Sequence, residues 1–142
     1  MMNDVNAIAV ESDKPRARIA LVIEDDDASA QVLSKFLEAE GLTVIRALSA
    51  EDALVQVSRQ VLALITLDLG LYGMNGWQFL QKLREKSTHG HAPVVIVSGR
   101  DVGVLAQTRG AAAVLLKPIK RSELKAILAS LGLLEVRASP GR

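Results

Sequence analysis

Five short aliphatic runs, each followed by a stretch of helical periodicity, organise this chain of 142 residues. Arg18–Ile23, Leu42–Arg46, Val61–Leu67, Pro93–Val97 and Ala112–Leu116 are rich in branched apolar side chains, and near-continuous apolar runs of that length are what strands buried on both faces require. Between them, Val32, Leu33, Phe36 and Leu37 recur at helical spacing up to Gly41, which supplies a stop. Ser49 predicts the start of a second helix, with its hydroxyl capping the amide of Asp52 and with Ala53, Leu54 and Val57 as the apolar stripe. Trp77–Lys86, a weak segment Asp101–Arg109, and Arg121–Leu131 with Leu124, Ile127, Leu128 and Leu131 at i, i+3, i+4 and i+7 complete the pattern. The polar segment 1–17 reads as a flexible leader, 18–131 as the folded domain and 132–142 as a frayed C-terminal tail.

Five βα units of this kind predict an α/β fold: a doubly wound, parallel five-stranded sheet with helices on both faces. Ligands of such sheets bind at the carboxyl ends of the strands, where the strand order reverses. Strand one ends at Glu24 and Asp25, strand three at Asp68, strand four at Ser98 and strand five at Lys117. Strand two brings nothing comparable.

Composition narrows the chemistry. Apolar residues make up 49%, mean hydropathy is +0.24, and aromatics are only 3%, so the core is aliphatic and stacking platforms for single-stranded nucleic acid are excluded. The absence of cysteine removes disulfides, thiolate metal sites and a cysteine nucleophile, and it fits a cytoplasmic location. No apolar run approaches the ~18 residues that span a bilayer. Charge is polarised: residues 1–71 hold 6 Lys/Arg and 12 Asp/Glu, net −6, and residues 72–142 hold 11 and 4, net +7, which together give the overall +1.

Three carboxylates at one rim repel one another, by roughly 4 kcal/mol for two charges about 4 Å apart at an effective dielectric near 20. A hard divalent cation relieves that, and an all-oxygen set without His or Cys selects Mg²⁺. Asp25 and Asp68 are the candidate direct ligands, Glu24 acts through water, and the Gly70 carbonyl adds another oxygen. A carboxylate beside Mg²⁺, a lysine and a hydroxyl is also a phosphoryl acceptor. Asp68 would attack phosphorus to form an acyl phosphate, Lys117 would neutralise the transferred oxygens and Ser98 would hydrogen-bond another.

The ordered set Glu24-Asp25, Asp68, Ser98 and Lys117-Pro118, together with Gly76 and the Gly110-Ala111 pair, resembles the receiver domain of two-component response regulators, the chemotaxis-regulator (CheY-like) fold, over residues 18–131. The resemblance implies strand order 2-1-3-4-5 and Mg²⁺-dependent phosphorylation of Asp68 by a histidine kinase or histidine phosphotransfer protein. It also implies self-catalysed phosphoryl transfer and autodephosphorylation rather than turnover of a separate substrate, and a change of state read by a downstream protein target. A cis bond between Lys117 and Pro118 belongs to the same pattern. Nucleic-acid binding and membrane association are not expected of this domain. The alternative is a pseudo-receiver that is never phosphorylated and acts as an interaction module.

The chain departs from the family at the output side. Tyr72 stands where a proline is usual, and Val114 stands where the family carries its aromatic switch residue. Only 12 positions separate Ser98 from Gly110, about one helical turn fewer than the family implies, and Gly103 weakens that helix by about 1 kcal/mol relative to alanine. Gly70 and Gly99 leave the acceptor without flanking side chains, which predicts easy access for water and phosphoryl donors, tempered by Arg100. Asp26 and Asp27 read as an acidic helix start, His89 and His91 as solvated loop residues, and Trp77 as helix packing. Lys120, Arg121 and Lys125 read as a solvated basic face. Other classes fail on residues: there is no Gly-x-x-x-x-Gly-Lys phosphate loop, Gly70 replaces the second aspartate of a haloacid-dehalogenase-type phosphatase, and the acidic run 24–27 would repel a flavin phosphate.

Overall fold

A computed structural model describes residues 18–70, 75–85 and 92–134. The leader 1–17, Tyr72, His89, His91 and the tail from 135 onward lie outside the described residues. The elements run β1 (Ile19–Ile23), α1 (Asp27–Ala39), β2 (Thr43–Ala47), α2 (Ala50–Arg59), β3 (Leu64–Asp68), α3 (Gly76–Glu85), β4 (Val94–Ser98), α4 (Gly103–Thr108), β5 (Ala113–Leu116) and α5 (Arg121–Ser130). All neighbouring strands pair in parallel, in the order β2-β1-β3-β4-β5.

The two-residue period of the strands sorts their side chains into two cores. Leu21, Ile23, Ile65, Leu67, Val94 and Ile96 meet α2, α3 and α4 through Ala53, Val57, Phe79, Leu80, Leu83 and Ala106. Ala20, Val22, Leu64, Val95, Val97 and Leu115 meet α1 and α5 through Leu33, Leu37, Leu124 and Leu128. Each fully buried Leu, Ile or Phe contributes about 1.5–3 kcal/mol relative to exposure. The α1/α5 core continues past the last helix, because Leu133 and Leu134 pack against it and Arg18 donates a hydrogen bond to the Leu133 carbonyl.

The caps follow the sequence. Asp26 accepts from the Ser29 amide at 2.8 Å and caps α1, while Ser49 accepts from the Asp52 amide at 3.0 Å and caps α2. Several boundaries differ from the sequence pattern. β3 begins at Leu64 rather than Val61, because its pairing with β1 starts at Ala20 opposite Leu64, and Val61 is left 92% exposed. β3 and β4 also run one residue further than their apolar runs, so that Asp68 and Ser98 are themselves strand residues. α4 is six residues long, has no side-chain cap at Val102, and is followed by Gly110 in the left-handed region at φ +92°.

Candidate phosphoacceptor site

The parallel register brings the strand ends level. Ile23 pairs with Ala47 and with Leu67, Asp68 with Val97, and Ser98 with Leu116. β3 and β4 therefore deliver their last residues, and β1 and β5 the residues just after them, to one rim. The Lys117 amide donates to the Ser98 carbonyl at 2.8 Å, which ties the end of β5 to the end of β4.

At that rim Lys117 Nζ lies 3.4 Å from Asp68 Oδ2 and 3.5 Å from Glu24 Oε1. The Gly70 amide donates to Asp68 Oδ1 at 2.9 Å, and the Asp26 amide to Glu24 Oε2 at 3.3 Å. Glu24, Asp68 and Ser98 are buried, and Asp25 is half-buried. Glu24, Asp25 and Asp68 each present one oxygen, and these three oxygens lie within 4.8 Å of one another. Asp25 Oδ2 is buried and has no hydrogen-bond partner among the described residues. An oxygen-only cluster with an unsatisfied buried acceptor fits a hard divalent cation. Ser98 Oγ accepts from the Arg100 amide at 3.0 Å, which fixes the hydroxyl at the end of β4. The bond between Lys117 and Pro118 is cis.

The electrostatics follow from this crowding. Burial pushes the Glu24 carboxyl up to about 7, reinforced by its hydrogen bond with Asp68 and the Asp68 charge. Burial opposes ionisation of Asp68 too, yet hydrogen bonds from Glu24 and the Gly70 amide, together with the Lys117 charge, hold its carboxyl below the usual range. Burial disfavours the Lys117 ammonium, but the charges of Asp68 and Glu24 outweigh it and raise its pKa. The two carboxyls are thus pushed in opposite directions, and the lysine favours the ionised form of each.

The neighbouring residues divide as follows. Asp26 and Asp27 serve α1 rather than the rim, since Asp26 caps it and Asp27 pairs with Arg46 at 2.7 Å. Trp77 packs against the α2/α3/α4 core and carries Arg109 over its ring at 5.4 Å. Arg121 pairs with Glu40 at 3.5 Å and Lys120 with Glu123 at 4.0 Å. Val114 is half-buried against the same core as Trp77, in the wall of a cleft of about 560 Å³ between α4 and β5.

The sequence reading missed Arg46. Strand two does contribute to the rim: Arg46 Nε donates to the Glu24 carbonyl at 3.0 Å, and the Ala47 carbonyl accepts from the Glu24 amide at 3.1 Å. The available signal was a lone charged residue inside the mainly apolar run Leu42–Ala47.

The chain belongs to the response regulator receiver domain family, whose sequence profile matches residues 20–129. The response regulator PleD of Caulobacter vibrioides is 35% identical over 106 residues, which are 72% of this chain and 23% of that protein. The hybrid signal transduction histidine kinase L of Dictyostelium discoideum is 31% identical over 121 residues, 79% of this chain and 7% of that protein. This chain therefore spans well under half the length of either curated relative. A CheY-like receiver domain from Methylobacillus flagellatus superposes with a TM-score of 0.75 at 30% identity, covering 82% of this chain and 99% of that one. Among the described residues no helix is long and apolar enough to cross a membrane.

Proposed function

We propose that this receiver domain accepts a phosphoryl group on Asp68 in a Mg²⁺-dependent reaction and passes the change to a protein partner. The observation that carries the reading is the placement of the Lys117 ammonium 3.4 Å from Asp68 Oδ2, beside a carboxylate cluster able to hold a cation. Asp25 and Asp68 would ligate Mg²⁺ directly, Glu24 through water, with the Gly70 carbonyl completing the protein's share. When bound, the ion would neutralise charge on the phosphoryl oxygens.

The remaining work belongs to the chain. An Asp68 oxygen forms the new bond to phosphorus as the donor's P–N bond breaks, and the donor imidazole nitrogen keeps that electron pair. Lys117 moves from balancing the Asp68 carboxylate to balancing the phosphoryl oxygens, and Ser98 donates its hydroxyl hydrogen to one of them. Attack of water on phosphorus later returns the carboxylate and inorganic phosphate. The donor is a histidine kinase or a histidine phosphotransfer protein, in keeping with the similarity to a hybrid histidine kinase.

A second reading, an interaction module that is never phosphorylated, is favoured by the six-residue α4 and by Val114 at the switch position. Incubation with Mg²⁺ and a small acyl-phosphate donor, followed by intact mass measurement, separates the two. The first reading expects a gain of one phosphoryl group that is absent without Mg²⁺ and absent in Asp68→Asn. No gain in the wild-type protein leaves the second.

A further inference from the structure

We propose that Arg46 is a positioning residue for the cation site, clamping the backbone of Glu24 so that the acidic loop presents its carboxylates in place. This rests on the Mg²⁺-binding reading above. Both backbone polar groups of Glu24 are held by adjacent residues of β2: the amide donates to the Ala47 carbonyl at 3.1 Å, and the carbonyl accepts from Arg46 Nε at 3.0 Å. The same guanidinium reaches forward to Asp27 Oδ1 at 2.7 Å. One rigid fork thus spans the loop on both sides of Asp25 and joins the end of β1 to the first turn of α1. Arg46 Nη2 is buried and has no hydrogen-bond partner among the described residues.

An ordinary edge-strand arginine would be a solvated charge that discourages edge pairing. Arg46 is instead half-buried, with 29% of its side chain exposed, and beside its ion pair with the exposed Asp27 it donates to a backbone carbonyl. A positive charge beside the acidic loop opposes Mg²⁺ by charge alone. The order that Arg46 imposes on the loop acts in the other direction. Lysine carries the same charge but lacks the planar fork that makes the two bonds at once.

These two effects predict opposite results, which makes the clamp testable by calorimetric titration of Mg²⁺ into the whole chain. Positioning predicts that Arg46→Lys weakens Mg²⁺ by about tenfold, the lower end for loss of a supporting contact around a metal ligand. It also predicts that Arg46→Gln weakens Mg²⁺ despite the loss of a positive charge. Wild-type affinity in Arg46→Lys, or tighter binding in Arg46→Gln, overturns the clamp and leaves the Mg²⁺ reading intact. No heat of binding in the wild type overturns both. A measurement on the wild-type protein stands apart from folding of the variants: the Arg46 Nε–H resonance should be protected from solvent exchange and should shift with the Mg²⁺ titration. Rapid exchange of that proton overturns the clamp.

Discussion

Lys117 Nζ stands 3.4 Å from Asp68 Oδ2 and 3.5 Å from Glu24 Oε1, so one ammonium compensates two carboxyls from different strands. The lysine comes from the basic half of the chain and both carboxyls from the acidic half. The charge asymmetry of the sequence is therefore closed, at least here, by a contact inside the domain. Replacing the lysine separates its two roles. Lys117→Met removes a positive charge next to the cation site, so Mg²⁺ should bind more tightly in a calorimetric titration. It also removes a donor to the transferred oxygens, so phosphorylation of Asp68 by a small acyl phosphate should slow by about 10²-fold or more, as for loss of one oxyanion-stabilising group. Parallel loss of both properties would mean that the lysine mainly holds the fold.

The raised Glu24 carboxyl gives the metal-free domain a definite pH dependence. Glu24 has a folded-state pKa of about 7 against an ordinary value of 4.5, so the folded state binds the extra proton and stability is lost as pH rises through that window. Asp68 is shifted the other way, and its contribution is lost only as pH falls through and below the ordinary carboxylate value of 3.8. Urea midpoints in the presence of a chelator should therefore decline from about pH 4.5 to about pH 7. Added Mg²⁺ should stabilise the domain most at the upper end, where Glu24 is ionised. Glu24→Gln should flatten the chelated profile across this range.

Among the described residues, space is left beside the proposed acceptor Asp68 at two glycines. A Cβ built on Gly70 would meet Asp68 Oδ1 at 3.5 Å, an ordinary contact, and one built on Gly99 would meet no described residue within 4 Å. Larger residues thus fit without distorting the rim and would shield phosphorus from water. Gly70→Glu should lengthen the acyl-phosphate lifetime severalfold, read by intact mass or phosphate release after donor removal. A lifetime equal to wild type would show that this side chain does not govern water attack.

Most of the fold was legible because buried parallel strands write themselves as aliphatic runs, and the helices between them as apolar stripes. The grouping of the candidate site was legible for the same reason: Glu24, Asp25, Asp68, Ser98 and Lys117 each interrupt or follow such a run at its carboxyl end. What escaped had weaker local signals. Val61 and Leu62 look like strand, yet pairing with β1 sets the start of β3 at Leu64, and register is a property of two strands rather than of one. Arg46 escaped because its role lies in a contact with residue 24, and one arginine in a five-residue strand gives no indication of which backbone carbonyl it will meet.

Gly76 at the start of α3 lies close against the backbone that follows Asp68. An added Cβ would come within 2.8 Å of Leu69 Cδ2, 3.1 Å of Leu69 Cα and 3.3 Å of the Asp68 carbonyl. The side-chain atom can swing away, but Leu69 Cα and the Asp68 carbonyl are main chain, and the Leu69 amide is itself bonded to the Val97 carbonyl at 3.3 Å. α3 would have to move outward, against the seating of Phe79 and Leu80, or the segment after Asp68 would have to shift. Gly76→Ala should therefore cost about 1–3 kcal/mol, the usual range for overpacking, even though alanine is the better helix former. A lower urea midpoint together with slower phosphorylation of Asp68 would locate the strain at the acceptor. Normal phosphorylation with the same loss of stability would locate it in the seating of α3.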